Sequence, residues 1–215
     1  MKFVTARLKG SFLLCLGASA AVQLHGQGTV NFSNNGLNAP VLMGETITFG
    51  TNTYAAGTIA PAGTIFSVAL YFAPYDSNNP NTPPQTSSFT QVGAPAFLLG
   101  LGFYSGGVRT APISPPGSIG WFQVRAWETA CGATYEQAFD MNEALLGVSS
   151  IIRVDTGDPT TGGSPASLKG LSSIYLIDGI GPGMVNPCVP EPSAALLVSL
   201  AASVLILLRA KSKSS

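Results

Sequence analysis

Charge and histidine are scarce in this chain of 215 residues. Only 9% of its residues are charged, against a usual share of about 25%, so long surface helices laced with Glu and Lys are excluded. Net charge is zero, but the sign is segregated: six of the ten cations are Lys2, Arg7, Lys9, Arg209, Lys211 and Lys213. Between residues 27 and 190 only Arg109, Arg125, Arg153 and Lys169 face nine carboxylates, a net of −5. An acidic body with scattered cations offers no stripe for a phosphate backbone, which excludes nucleic acid as a partner. No glycine loop followed by Lys-Ser/Thr is present, and no nucleophile elbow. The 46% apolar content, with 25 Gly and 16 Pro, argues for a packed, turn-rich body rather than disorder.

Both ends read as targeting segments. Lys2, Arg7 and Lys9 precede the apolar run SFLLCLGASAAV (11–22), the layout of a secretory signal peptide. Cleavage is expected before Gln27, through Sec-type export machinery and signal peptidase. At the other end an uncharged run opens at Ser193 and closes at Leu208 (193–208), followed by Arg209, Lys211 and Lys213. As a helix it reaches about 24 Å; snorkelling cations and local thinning extend it to a span. The positive-inside bias keeps this basic tail cytoplasmic and the body outside. Ahead of the span, Pro190 and Pro192 push Val189 and Glu191 into extended backbone.

Val189-Pro190-Glu191-Pro192, the apolar run and the basic tail, in that order, resemble the PEP-CTERM sorting signal of exported bacterial proteins. The resemblance implies processing by an exosortase-type membrane transpeptidase and a fate at the cell surface or in an exopolysaccharide-rich extracellular matrix. It assigns no activity to the body. The expected organisation is a signal peptide over 1–26, a body over 27–187 and a sorting segment over 188–215.

The body reads as all-β. Short runs of β-type residues recur between Gly, Pro and Asn turns, with the clearest alternation over 65–72 and 120–127. Further strands are expected over 29–32, 45–50, 89–92, 97–99, 107–110, 150–154 and 174–177. This spacing predicts a β-sandwich or jelly roll. One helix is expected over 134–146, opened by a capping box of Thr134 and Gln137 and stopped at Gly147. The polar, proline-rich stretch 73–88 is expected as a surface loop.

Candidate chemistry is sparse. The lone His25 leaves with the signal peptide, taking triad and histidine-zinc chemistry with it. Cys15 leaves too, so Cys131 and Cys188 form a candidate disulfide worth about 4 kcal/mol. Glu128, Glu136, Asp140 and Glu143 are the carboxylates for a glycosidase-like pair, although 136, 140 and 143 fall along the solvent face of the expected helix. Asp155 and Asp158 are weak calcium candidates that a Gly-Asp-Pro turn explains without metal. Trp121 and Trp127 could stack on sugar rings, or pack in the core. These readings give an exported non-enzymatic surface or matrix protein, with no cofactor and no metal. The alternatives are a carbohydrate-binding module and, third, a polysaccharide-acting enzyme.

Overall fold

Two long strands, buried on both faces, form the spine of the molecule, β5 (Gly63–Pro74) and β9 (Ile119–Glu128). In this computed structural model, which describes residues 27–49, 51–141 and 144–178, they pair antiparallel from Phe66 opposite Glu128 to Pro74 opposite Gly120. The signal-peptide, transmembrane and sorting-motif expectations, and Cys188, lie outside the described residues.

The other elements are β1 (Thr29–Ser33), β2 (Val41–Met43), β3 (Ile47–Phe49), β4 (Asn52–Tyr54), β6 (Thr90–Gln91), β7 (Ala96–Gly100) and β8 (Phe103–Thr110), then the helix α1 (Tyr135–Asp140), β10 (Leu145–Val148), β11 (Ile152–Asp155), β12 (Ala166–Ser167) and β13 (Ile174–Asp178). Apart from a small β3–β4 hairpin, the strands belong to one sheet ordered β12-β1-β8-β7-β5-β9-β10-β13-β2, with β11 on β9 and β6 on β5. The all-β class is as expected.

The sheet curls until its edges return to it. At one end the Thr29 and Gly157 amides exchange hydrogen bonds of 3.0 and 2.7 Å. At the other, Val41 N–H donates 2.9 Å to the Gly102 carbonyl in the β7–β8 turn. Asn34, wholly buried, strengthens that closure. Its amide donates to the Ala39 and Gly102 carbonyls at 2.8 and 3.0 Å, and its oxygen accepts from Tyr104 N–H at 2.8 Å.

Alternation then sorts side chains into two cores. Phe66, Val68, Leu70 and Phe72 of β5 join Phe122, Val124 and Ala126 of β9 inside the curl, with Val30, Phe32, Val41, Met43, Ile174 and Leu176. The opposite face carries Ala69, Tyr71, Ala73, Trp121 and Trp127, covered by Phe89, Cys131, Ala138 and Leu146. Cys131 is buried and disulfide-bonded.

The helix is shorter than its sequence predicts. Thr134 accepts from Gln137 N–H as expected, and Gln137 reaches back to Ala133 N–H at 2.9 Å. The helix nevertheless ends at Asp140, and 145–148 pairs as β10 between β9 and β13. Leu145 fills the inner core and Leu146 the outer one, a two-sided burial that strand geometry provides. Gly147 is therefore no helix stop. A Cβ there would lie 2.6 Å from the Ile174 side chain and 2.7 Å from the Tyr175 carbonyl, so glycine permits the close approach of β10 to β13.

Candidate functional site

Two sites on this scaffold concentrate polar chemistry, and the first is built around a cation. The alternation of β9 points Arg125 to the outer face, where it is only 5% exposed. Its guanidinium donates to Gln123 Oε1 (3.0 Å), Glu136 Oε1 (2.9 Å) and the Thr86 carbonyl (2.8 Å). It also stacks on Tyr71, with Cζ 4.1 Å from the ring centre, and lies 5.3 Å from the centre of the Tyr135 ring. Tyr71 Oη donates to the second oxygen of Glu136 at 2.9 Å. Burial, then the bond to Glu136 and its charge, push the Tyr71 phenol above its ordinary range.

This arrangement corrects the expectation for Glu136. Its side chain is half exposed, yet the carboxylate turns inward to Arg125 and Tyr71 rather than lying along a solvent face. Each of the three guanidinium nitrogens of Arg125 donates a hydrogen bond, so the cluster ties α1 and the loop at Thr86 to the sheet. Nothing in it is poised to attack a substrate. Glu128 is buried opposite Phe66, and Asp140 is exposed.

The second site lies where β5 ends, β9 begins and β11 runs alongside. Trp121 opposes Ala73 on one side and Arg153 on the other, and Asp155 opposes Ile119. Two clefts of about 500 and about 370 Å³ share Pro74 as a wall. The larger is lined by Tyr75, Ile113, Ser114, Ser118 and Asp155 among others. The smaller holds Trp121, Asp76, Asn79 and Gln85. Ile113 is 81% exposed and sits at φ 51°, a backbone region that β-branched residues rarely occupy. Asp76 accepts from Asn79 Nδ2 (2.8 Å) and Asn78 N–H (2.9 Å), and these bonds hold its carboxyl below the usual range. The Asp155 carboxylate forms no hydrogen bond or ion pair among the described residues.

The tryptophans are divided by this geometry. Trp127 is fully buried, donates through Nε1 to the Gly132 carbonyl at 2.9 Å, and presents no face to a sugar; of its two readings, core packing is the one the structure shows. Trp121 is 8% exposed at the wall of the smaller cleft. Asp158 caps a 3-10 turn over Pro159–Thr161 by accepting from Thr160 N–H at 2.8 Å. Its bonds to Thr160 and Thr161 keep its carboxyl low. That carboxylate serves the turn, and among the described residues no three His, Cys, Asp or Glu side chains gather as metal ligands. No described helix is long and apolar enough to cross a membrane.

Sequence reasoning misses both constellations, because Tyr71, Arg125 and Glu136, like Tyr75, Ile113 and Asp155, meet only through strand pairing. The alternation in 120–127 does place Arg125 and Trp121 on one face. Compared with family models, curated proteins and solved structures, the chain finds no match.

Proposed function

We propose that this chain is an exported, non-enzymatic surface or extracellular-matrix protein, delivered and released through its C-terminal signal. The observation that carries the reading is the order, within residues 189–215, of Val189-Pro190-Glu191-Pro192, an uncharged apolar run and a cluster of cations. The run holds the chain in the bilayer, the cations fix its orientation, and the extended motif above the membrane is offered to an exosortase-type transpeptidase. The body is a sandwich-like or jelly-roll-like cargo, a reading supported by side chains of β2 and β13 sharing one inner core with those of β5 and β9.

The test is expression in a bacterium that carries such a transpeptidase, comparing wild type with Pro190→Ala/Glu191→Ala and with a chain truncated after residue 187. Mass spectrometry of the mature C-terminus is expected to find wild type cut near the motif and the double variant uncut in the membrane fraction. A truncated chain found in the same place and form as wild type would overturn the proposal.

A further inference from the structure

We propose that the paired clefts around Pro74 bind a neutral oligosaccharide. The inference goes beyond the sorting reading and is independent of how the chain's end is processed. Four observations converge on it.

The clefts have the size of a ligand site, since small-molecule pockets run from about 300 to 1,000 Å³, and they adjoin along a single wall at Pro74. An extended chain of rings fits such a pair better than a compact ligand does. Their chemistry selects the class. Tyr75, half-buried, lines one cleft, and the largely buried Trp121 closes the other; the Tyr75 ring is the aromatic surface open to the C–H face of a pyranose. Charged groups in the two linings are carboxylates only, Asp76 and Asp155. Anionic ligands such as phosphates and uronates are repelled, whereas sugar hydroxyls donate to carboxylates.

Asp155 is ready for that role. It is exposed in the larger cleft with no partner among the described residues, so accepting from a ligand breaks no existing bond. Ser114 and Ser118, joined to each other at 2.7 Å, add hydroxyls that both donate and accept. Finally, Ile113 is held in an unfavourable conformation with its apolar side chain 81% exposed at the same cleft. Folding gains little from that placement, while a ligand with an apolar face gains a contact. Backbone strain concentrates at sites where it serves binding.

The experiment uses the full exported chain purified in mild detergent and an array of neutral and uronate oligosaccharides of several ring sizes, with calorimetry on any that are retained. Wild type is expected to retain a neutral oligosaccharide and no uronate. Tyr75→Ala and Asp155→Ala are each expected to weaken that binding at least about ten-fold, the loss of one good stacking or charge-assisted contact. Lys169→Ala, outside both clefts, is expected to leave it unchanged. Asp155→Asn supplies a near-isosteric check on an exposed residue, and matching thermal unfolding curves establish that the variants are folded. Three results would overturn the proposal: no neutral oligosaccharide retained by wild type, retention of uronates only, or binding unaffected by the Tyr75 and Asp155 substitutions.

Discussion

Arg125 lies face-on over Tyr71, its guanidinium carbon 4.1 Å from the ring centre, while both side chains hold the same carboxylate, one oxygen each, on Glu136. One cation, one phenol and one acid thus lock strand β9, strand β5 and the helix together beneath the outer surface. The arrangement pairs a buried charge with a carboxylate and gives each of its nitrogens a hydrogen bond, the condition under which such a charge is tolerated.

Removing that cation is costly. Arg125→Ala takes one donor each from Gln123, Glu136 and the Thr86 carbonyl and opens a void between two tyrosine rings. We expect a loss of about 3 kcal/mol in denaturant unfolding, with α1 loosening first. Glu136→Gln keeps an oxygen to accept from Arg125, turns an N–H toward Tyr71 Oη so that the phenol must accept instead of donate, and removes the charge, so about 1 kcal/mol is expected. A loss from Arg125→Ala no greater than that from Glu136→Gln would show that the cluster is not a structural lock.

Alkaline pH should attack the same region. Burial raises the phenols of Tyr71, Tyr104 and Tyr135 above their ordinary value of 10.0. The folded state therefore favours their neutral forms. The resulting stabilisation is complete below pH 10 and declines as pH climbs past it, because the unfolded chain ionises first. Tyrosinate absorbance should show Tyr71, Tyr104 and Tyr135 ionising only as the protein unfolds, and stability should fall above about pH 10. Tyr104→Phe should shallow that fall. If Tyr71, Tyr104 and Tyr135 ionise near pH 10 in folded protein, the assignment fails.

How much of this was legible in the sequence depends on the range of the interaction. Residues 65–72 and 120–127 announce β5 and β9 because period-two alternation is written locally, and Thr134 announces the start of α1 for the same reason. Leu145 and Leu146 mislead, since apolar residues after an amphipathic turn look like more helix. Only the gap between β9 and β13 makes them a strand. Glu136 looked solvent-facing because its partners Arg125 and Tyr71 lie 11 and 65 residues away. The clefts at Pro74 are hidden for the same reason: Asp155 reaches them only once β11 has paired with β9.

Asn34 makes the closure of the curl testable. Its amide satisfies two carbonyls and one N–H at the junction of β1, β2 and the β7–β8 turn. Asn34→Ala takes this partner from the Ala39 carbonyl and the Tyr104 N–H in a buried place, while the Gly102 carbonyl keeps Val41 N–H, for an expected loss of about 2–3 kcal/mol. Asn34→Asp retains the acceptor but turns a carboxylate toward two carbonyls, so it should be at least as damaging at neutral pH. Acidification should partly restore it, because a protonated carboxyl can donate again. A change within about 0.5 kcal/mol for Asn34→Ala, the size of an ordinary surface substitution, would mean the junction holds without it.

Ile113 offers the opposite sign. At φ 51° its β-branched side chain crowds its own backbone, and at 81% exposure it recovers little by burial. Glycine adopts that conformation freely, so Ile113→Gly should relieve strain of about 1–3 kcal/mol. The greater freedom of glycine in the unfolded chain offsets part of this. A net gain of about 1 kcal/mol is expected, read as a higher denaturant midpoint at unchanged slope. The same variant removes an apolar contact from the larger cleft, so a chain that becomes more stable should also bind oligosaccharide less well, the trade expected where strain is kept for function. Increased stability with undiminished binding would place the strain outside the recognition site. Lowered stability would show that the left-handed backbone at Ile113 carries no strain to relieve.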